Sequence, residues 1–238
     1  MKQILYVLSI ISLAVLLHSC AFNAIKGNGT IVSNEINISD YQDISFSGGS
    51  TIVYEQKTDV APYLRIEIDE NLYPILDIES SNGKLELGTK QNIKATKYNI
   101  YTNSKSLTSL RISGSSKVHL KGNLETPNLE ISVSGSGNIT IDSINTHTLK
   151  TKVSGSGKFF VTGKASILDS SISGSGKVEA INLITDTVDC SVSGSGNFHI
   201  TANKLLKVRI SGSGKVTYKG DPQIEQSISG SGKVTKEN

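Results

Sequence analysis

Hydrophobic and polar residues alternate with a period of two through most of the chain after residue 110. Apolar side chains stand two residues before and four residues after a recurring glycine, with Ser, Lys, Asn, Thr or His between them. This alternation, rich in Val and Ile, is typical of strands with one buried face. The sequence therefore predicts a short strand on each side of the glycine.

The recurring glycine belongs to an internal repeat. Most copies read apolar-Ser-Gly-Ser-Gly-polar-apolar, and the first has Ser116 in place of the second glycine. The first glycines are 18 to 21 residues apart, at Gly114, Gly135, Gly155, Gly174, Gly194, Gly212 and Gly230. This spacing is a solenoid period, too short for a propeller blade. A sharp corner needs backbone angles that a Cβ obstructs, and the neighbouring serines can hydrogen-bond the backbone locally.

We therefore expect an all-β fold, a right-handed parallel β-helix (solenoid) with coils of about 18–21 residues. Coils would stack about 4.8 Å apart, and parallel crossovers favour the right-handed path. Each buried Val or Ile contributes roughly 1.5–3 kcal/mol. Because one coil cannot bury its apolar face alone, neighbouring coils must share a core.

Residues 30–111 repeat less regularly, and we expect them to form N-terminal β coils and a cap before the repeat β-helix of residues 112–238. Asn82-Gly83 predicts a hairpin turn, and Phe46–Ser50 is a degenerate copy of the later corner. The sequence leaves open whether this part is a separate subdomain. The predicted strands are Thr30–Val32, Ile44–Phe46, Thr51–Tyr54, Leu64–Ile68, Ile75–Ile78, Lys84–Leu87 and Lys97–Tyr101.

The first residues have the features of an export signal. Lys2 precedes an apolar run, Ile4–Leu17, that is short for a membrane span. Residues 17–20, Leu-His-Ser-Cys, resemble the bacterial lipobox, although His18 replaces the usual small or aliphatic residue. We expect a lipoprotein signal peptide over residues 1–19, a tether over 20–29, and lipidation of Cys20 with several acyl chains, palmitate among them. The alternative is an ordinary cleaved signal followed by an unrelated cysteine.

Composition and motifs argue against several functional classes. The net charge is only +3 and the lysines are scattered, so we expect no nucleic-acid partner. With Cys20 lipidated, Cys190 has no partner for a disulfide within the chain and is expected to be a small core residue. Residues 173–177, Ser-Gly-Ser-Gly-Lys, lack the first glycine of a phosphate loop, and Val178 replaces its Ser or Thr. We expect no cofactor, no metal and no catalytic residue.

Acidic and aromatic residues are concentrated in the first half of the chain. The one dense acidic cluster comprises Glu67, Asp69, Glu70, Asp77 and Glu79. Arg65, Glu67 and Asp69 alternate with apolar residues, so we expect a solvated strand face rather than the carboxylates of a polysaccharide-cleaving enzyme. Any sugar-binding aromatic platform is also expected here, where the tyrosines are Tyr41, Tyr54, Tyr63, Tyr73, Tyr98 and Tyr101.

One polar column is the main candidate for ligand contact. It stands three residues after each first glycine and contains Lys117, Asn138, Lys158, Lys177, Asn197, Lys215 and Lys233. If the coils stack in register, these residues form a polar ladder with a cationic stripe. The lysines can protect an exposed β surface against association. Alternatively, they form a weak site for acidic glycans or anionic lipid headgroups.

The order of these features over about residues 40–235 resembles the putative auto-transporter adhesin, head GIN domain family. The resemblance implies a β-helical envelope protein, often a lipoprotein and often from Bacteroidota, and supplies no catalytic or binding residues. The features that carry it are Phe46-Ser-Gly-Gly, a strand ending at Tyr54, residues 64–72, residues 82–87 and the Ser-Gly-Ser-Gly units.

We therefore expect a non-catalytic envelope lipoprotein, in the outer membrane, with an adhesin-like module for binding or display. Its expected partners are the membrane, through the lipid anchor, and a glycan or another envelope protein, with self-association left open. The alternative is a structural or stress-linked periplasmic protein that binds protein partners, and the third hypothesis is a polysaccharide-active enzyme. Residues 21–24 contain no acidic cluster of the kind associated with surface export, so surface or periplasmic orientation stays undecided.

Overall fold

Strands account for 72% of the fold in the computed structural model, which describes residues 24–237. They wind into a β-solenoid of about six turns, so the expected solenoid is confirmed. Within the described residues no helix is long and apolar enough to cross a membrane. The predicted signal peptide and Cys20 lie outside the described residues.

Along residues 24–237, twenty strands and one 3-10 helix follow one another. The helix is Glu70–Ile75, between β5 and β6. The strands are β1 (Ile25–Lys26), β2 (Ile31–Asn37), β3 (Asp43–Gly48), β4 (Thr51–Gln56), β5 (Tyr63–Asp69), β6 (Leu76–Ser81), β7 (Lys84–Thr89), β8 (Ile93–Lys94), β9 (Tyr98–Ser104), β10 (Ser109–Gly114), β11 (Lys117–Glu125), β12 (Asn128–Gly135), β13 (Asn138–Gly155), β14 (Lys158–Gly174), β15 (Lys177–Gly194), β16 (Asn197–Thr201), β17 (Leu205–Gly212), β18 (Lys215–Lys219), β19 (Gln223–Gly230) and β20 (Lys233–Lys236).

Two long parallel ladders meet at the glycine corners. Ladder A, before the first glycine of each coil, runs through β7, β3, β10, β12, the C-terminal parts of β13, β14 and β15, then β17 and β19. Ladder B, after the corner, runs through β9, β4, β11, the N-terminal parts of β13, β14 and β15, then β16, β18 and β20. The repeat units therefore stack in register, as the period predicts.

The first glycine of each corner is required by both conformation and space. Gly174 has φ +117°, and a Cβ added there would lie 2.6 Å from the carbonyl oxygen of Gly155 in the preceding coil. Two backbone hydrogen bonds continue through the corner: the Ser175 amide donates to Gly155 at 2.9 Å and the Lys177 amide to Gly157 at 3.0 Å. The predicted steric role of this glycine is confirmed.

The second glycine of each corner has a different role from the first. It is buried in every coil before the last, and there the absence of a side chain is what matters. A Cβ on Gly196 would lie 2.5 Å from Cγ2 of Ile172 and one on Gly214 2.6 Å from Cγ1 of Val192. These glycines leave room for the β-branched residues of the preceding coil, so the apolar columns can pack closely.

One hydrophobic core runs from Tyr41 to Tyr218. The columns two before and four after the first glycine point into it, and Phe159 and Phe198 are among its largest fully buried side chains. Cys190 is also fully buried, and burial raises the pKa of its thiol to about 12. Its predicted role as a core residue is confirmed.

The N-terminal coils stack in an order that differs from their order along the chain. Strands β3 and β4 lie between β7 and β9 on one side and β10 and β11 on the other. Along the chain, the inner layer of β3 and β4 therefore forms first and the outer layer of β7 and β9 second. Strands β10 and β11 then pair with the other side of β3 and β4. Antiparallel strands cover that outer layer, since β5 pairs with β9 and β2 pairs with β5.

The predicted hairpin turn at Asn82-Gly83 is confirmed between β6 and β7, which pair antiparallel. Both turn residues have positive φ, 52° and 74°, as a two-residue hairpin with the twist of its strands requires. The predicted strand at Ile75–Ile78 begins one residue later, because the 3-10 helix occupies Glu70–Ile75.

The expectation of a solvated acidic face on β5 was wrong for Asp69, which is fully buried. Its Oδ1 accepts the Gly29 amide at 2.8 Å and its Oδ2 the Thr96 amide at 2.7 Å. Burial alone would raise the pKa of this carboxyl, but the backbone amides outweigh it and hold the pKa below its usual value. Asp69 therefore joins the segment before β2 to the loop before β9, a contact between distant residues that strand alternation cannot reveal.

We expect Gly174→Ala to destabilise the solenoid by about 1–3 kcal/mol, because the new Cβ meets a backbone oxygen in a conformation disfavoured for alanine. Urea midpoints of the variant and the natural chain measure the effect. Ser175→Ala is the matched control, since Ser175 is exposed and its change should cost less than about 0.5 kcal/mol. Equal midpoints for the two variants would contradict the steric account.

We expect Asp69→Asn to lower the melting temperature at pH 7, because an amide cannot accept both backbone amides. A carboxyl whose pKa is depressed in the folded state stabilises fully above its unfolded pKa, about 3.9, and loses that effect as pH falls through the folded pKa. The difference from the natural chain should therefore shrink only below about pH 4. Melting curves from pH 7 to pH 2 test this, with the exposed Glu70→Gln as control; a pH-independent difference would count against it.

Candidate ligand-binding surface

The predicted polar column forms one straight row on ladder B, here called the lysine stripe. Each member is the register partner of the next, and all but the half-buried Asn138 are exposed. In stacking order the stripe contains Lys117, Asn138, Lys158, Lys177, Asn197, Lys215 and Lys233. Neighbouring strands lie about 4.8 Å apart, so adjacent members are spaced at nearly the strand repeat.

Most ammonium groups of the stripe have no carboxylate partner. Lys177 forms an ion pair with Glu179 at 2.5 Å. Within residues 24–237, none of the other four lysines has a carboxylate oxygen within 4.0 Å. The stripe therefore carries net positive charge along its length.

Outward charges on ladder A are arranged in the opposite way. Cross-coil ion pairs join Lys152 to Glu130 at 2.9 Å and Arg209 to Asp189 at 2.6 Å. The Lys152 ammonium beside Glu130 holds the pKa of that carboxyl below its usual value. Lys150 and Lys207 likewise pair with Asp169 and Glu225, so these basic residues of ladder A are neutralised, unlike most lysines of the stripe.

A shallow depression of about 410 Å³ lies on the stripe near its C-terminal end. Phe198 contributes to its lining together with three stripe residues, Lys177, Asn197 and Lys215. His199 stands beside them, with Nδ1 3.0 Å from Glu179, and its Nε2 contacts Glu237. The hydrogen bond with Glu237, and then that with Glu179, raises the pKa of His199. Glu179 also lines the depression and pairs with Lys177, so the groups left for an anionic ligand are the Lys215 ammonium and the Asn197 amide.

The corner serines differ from the expectation. Among the described residues, the hydroxyls of the serines on either side of the first glycines of the seven repeats make no hydrogen bond with the protein. The backbone amides at the corner instead bond the preceding coil, so the hydroxyls face solvent. On ladder A, serines and inward Val and Ile residues line a groove of about 530 Å³ between Lys152 and Arg209. This groove could have been predicted from the sequence, because a serine stands directly before the first glycine of every repeat.

The other predicted candidates are not brought together. Tyr41, Tyr54 and Tyr98 are buried, and the Tyr41 and Tyr54 hydroxyls hydrogen-bond Thr102 and Ser104. The expected aromatic platform in the first half is therefore largely core. Asp77 and Glu79 lie on β6, which pairs with β7, whereas Glu67 lies on β5 and forms an ion pair with Lys97 at 2.8 Å.

The motifs that resemble nucleotide and metal sites also lack the required setting. Ser173–Lys177 spans a corner between two strands, and none of the described residues forms the α-helix that a phosphate loop precedes. His119 and His199 have separate carboxylate neighbours, Asp142 and Glu179. Within residues 24–237, no group of three His, Cys, Asp or Glu residues could hold a metal ion.

Comparisons with known proteins agree with this geometry. Residues 40–222 match the family model described as putative auto-transporter adhesin, head GIN domain. No functionally curated protein matches the chain.

Solved structures from Parabacteroides and Bacteroides superpose on almost the whole solenoid. A protein from Parabacteroides distasonis, described as a putative lipid binding protein, is 32% identical, with 91% of this chain and 100% of that chain covered and a TM-score of 0.79. A putative adhesin from Bacteroides fragilis is 27% identical, with 90% and 99% covered and a TM-score of 0.82. A putative adhesin from Parabacteroides merdae is 28% identical, with 91% and 100% covered and a TM-score of 0.74.

Proposed function

This chain belongs to the putative auto-transporter adhesin, head GIN domain family, and from that membership we propose that it is a non-catalytic envelope lipoprotein whose solenoid binds an acidic glycan along the lysine stripe. The family indicates an adhesin-like protein of the cell envelope. The lipid anchor, the outer-membrane location and the ligand are parts of the proposal.

The observation that carries the ligand proposal is the row of unpaired ammonium groups on ladder B. Isolated surface charges attract a ligand weakly, whereas a row of like charges focuses the potential along one line. A linear chain with regularly spaced carboxylate or sulfate groups can contact several lysines at once. The neutralised charges on ladder A would not attract such a chain.

Protection of an exposed β surface is the alternative role for these lysines, and its best-known form, protection of an edge strand, applies to only one of them. Lysines blunt sticky edges when they lie on an edge strand, whose backbone groups lack partners. Lys117, Lys158, Lys177 and Lys215 lie on strands that are paired on both sides. Only Lys233, on the outermost strand β20, stands at an edge. The four inner lysines therefore have no edge to protect.

Anionic lipid headgroups are a second candidate ligand. The Parabacteroides distasonis structure, 32% identical to this chain, is described as a putative lipid binding protein. Phosphate groups have the same charge complementarity to the stripe as the carboxylates of a glycan. A single narrow row fits a linear polymer better than a planar bilayer, which is why the glycan comes first.

Two other functions stay as alternatives. A structural or stress-linked periplasmic protein would bind protein partners and would need no glycan. Protease shaving of intact cells distinguishes the two locations, because only a surface-displayed solenoid is cut. A polysaccharide-active enzyme is the third hypothesis, and cleavage of acidic glycans by the purified protein would favour it.

We expect the triple variant Lys117→Gln, Lys158→Gln and Lys215→Gln to bind polygalacturonate about tenfold more weakly than the natural chain. Each exposed charge contact contributes roughly 0.2–1 kcal/mol, and 1.4 kcal/mol in total is a factor of ten. Binding of purified residues 21–238 to the immobilised polymer should also weaken between 50 mM and 500 mM NaCl, because salt screens exposed charges.

A second triple variant controls for net charge. Lys84→Gln, Lys90→Gln and Lys164→Gln remove three exposed lysines outside the stripe and should leave binding nearly unchanged. Vesicles with and without phosphatidylserine provide the lipid arm. Equal losses in both variants, or binding that salt does not weaken, would contradict the stripe proposal.

For the lipid anchor, we expect Cys20→Ala to move the protein from the membrane fraction to the soluble fraction of fractionated cells. The thiol is the proposed acylation site, and several acyl chains are needed for firm anchoring. Ser19→Ala is a control that keeps a small residue before the cysteine and should leave the protein membrane-bound. Membrane retention of Cys20→Ala would show that Cys20 is not the anchor.

A further inference from the structure

The C-terminal end of the solenoid exposes residues that the inner coils bury. Strand β19 pairs with β17 on one side, and within residues 24–237 no strand pairs with its outer edge. Ile224 and Ile228 are each 40% exposed, although the same columns are buried at Leu206 and Ile210 in the preceding coil. The core and the backbone ladder thus both end in an open face.

The N-terminal end is closed by comparison. Its outer layer is covered by β5, which pairs antiparallel with β9, and by β2 beyond it. Leu64, Ile66 and Ile68 of β5 are fully buried. The outermost strands at this end are β2 and β6, so a second copy that stacked this end on the open end would not continue the repeat coils.

Gln226 departs from its column at this open face. It points in the direction that is occupied in inner coils by Leu110, Ile131, Thr151, Ser170, Cys190 and Val208. Gln226 is exposed, and it stands midway between Ile224 and Ile228. On either side of Gln226 comes one polar residue, Glu225 or Ser227, and then an isoleucine. The pattern of polar and apolar residues in this part of β19 is therefore the same in both directions.

We propose that the β19 edge is the dimer interface of this protein, where two copies pair β19 antiparallel about a two-fold axis at Gln226. In this register Ile224 lies opposite Ile228 of the second copy, and the two glutamine side chains lie opposite one another. Glu225 lies opposite Ser227, so no like charges meet. The inference does not use the lysine stripe and goes beyond the proposed ligand.

The backbone of β19 has the right polarity for this pairing. The amides of Gln223 and Ser231 donate inward, to Lys204 and Gly212. Because successive amides of a strand point to opposite edges, those of Ile224, Gln226 and Ile228 point outward. These residues form the three opposed pairs, and each pair exchanges two hydrogen bonds, about six in all.

A two-fold pairing closes on itself and uses the same patch on both copies. The exposed isoleucines of the two ends would then continue one core across the interface. The glutamine pair would be the one polar contact inside it, and such a buried polar residue can fix register by making other alignments leave an amide unpaired. The occupant that matches this face is therefore a second copy of the chain.

Disulfide trapping in cells tests the dimer with the full chain. Gln226→Cys would place two thiols on residues whose Cα atoms lie about 5.5 Å apart, within disulfide range. We expect most of this variant to run at twice the chain mass on a non-reducing gel and to return to monomer on reduction. Ser193→Cys, exposed on the same ladder in an inner coil, is the matched control and should give at least fivefold less dimer.

A double variant tests the apolar contact. Gln226→Cys combined with Ile228→Glu should lose the trapped dimer, because a carboxylate would be buried opposite Ile224. Circular dichroism verifies that this change at the exposed last coil keeps the solenoid. Dimer no greater than with Ser193→Cys, cross-linked products of any other mass, or trapping that survives Ile228→Glu would each overturn the proposal. None of these outcomes bears on glycan binding, which is measured separately.

Discussion

The structure depends on the close approach of successive coils at the glycine corners. At Gly174 a Cβ would lie 2.6 Å from the Gly155 carbonyl, so stacking at this distance requires glycine. The same approach lets corner amides bond the coil below, as Ser175 does with Gly155. The hydrogen-bond ladder therefore continues through the corner without a break. A one-residue slip would turn every inward Val and Ile to solvent, so the register is strongly specified.

A strict register makes each position of the repeat a straight surface feature. When one residue type recurs at a position of the repeat, its side chains form a row along the solenoid axis, and their charges add along that row. On ladder A, ion pairs such as Arg209 with Asp189 join a row of basic and neutral residues to a neighbouring row that contains both signs. Ladder B repeats lysine at one position, and four of its five ammonium groups there lack a carboxylate partner within residues 24–237. The charge asymmetry between the two ladders follows from the register alone.

Residues that break the column pattern mark the ends of the stack. Near the N-terminus, Asp69 is buried where the strand pattern predicts an exposed residue. Its carboxylate accepts two backbone hydrogen bonds, from Gly29 and Thr96, and so joins the segments before β2 and β9. At the C-terminus, Gln226 takes a position that inner coils fill with apolar or small residues. One end is closed by antiparallel strands and the other ends in an open edge, and this difference gives the solenoid a direction.

The coil could be predicted from the repeat, because the corner, the inward columns and the stripe occupy positions that are near one another along the chain. Val133, Val153 and Ile172 could be aligned before any coordinates, since a periodic fold places equal positions next to one another. Which unlike segments meet became visible only in the folded chain. The insertion of β3 and β4 between other layers, the burial of Asp69 and of Tyr41, and the free serine hydroxyls all depend on contacts between residues that no period relates. Alternation reports which face of a strand a residue is on, but not what covers that face.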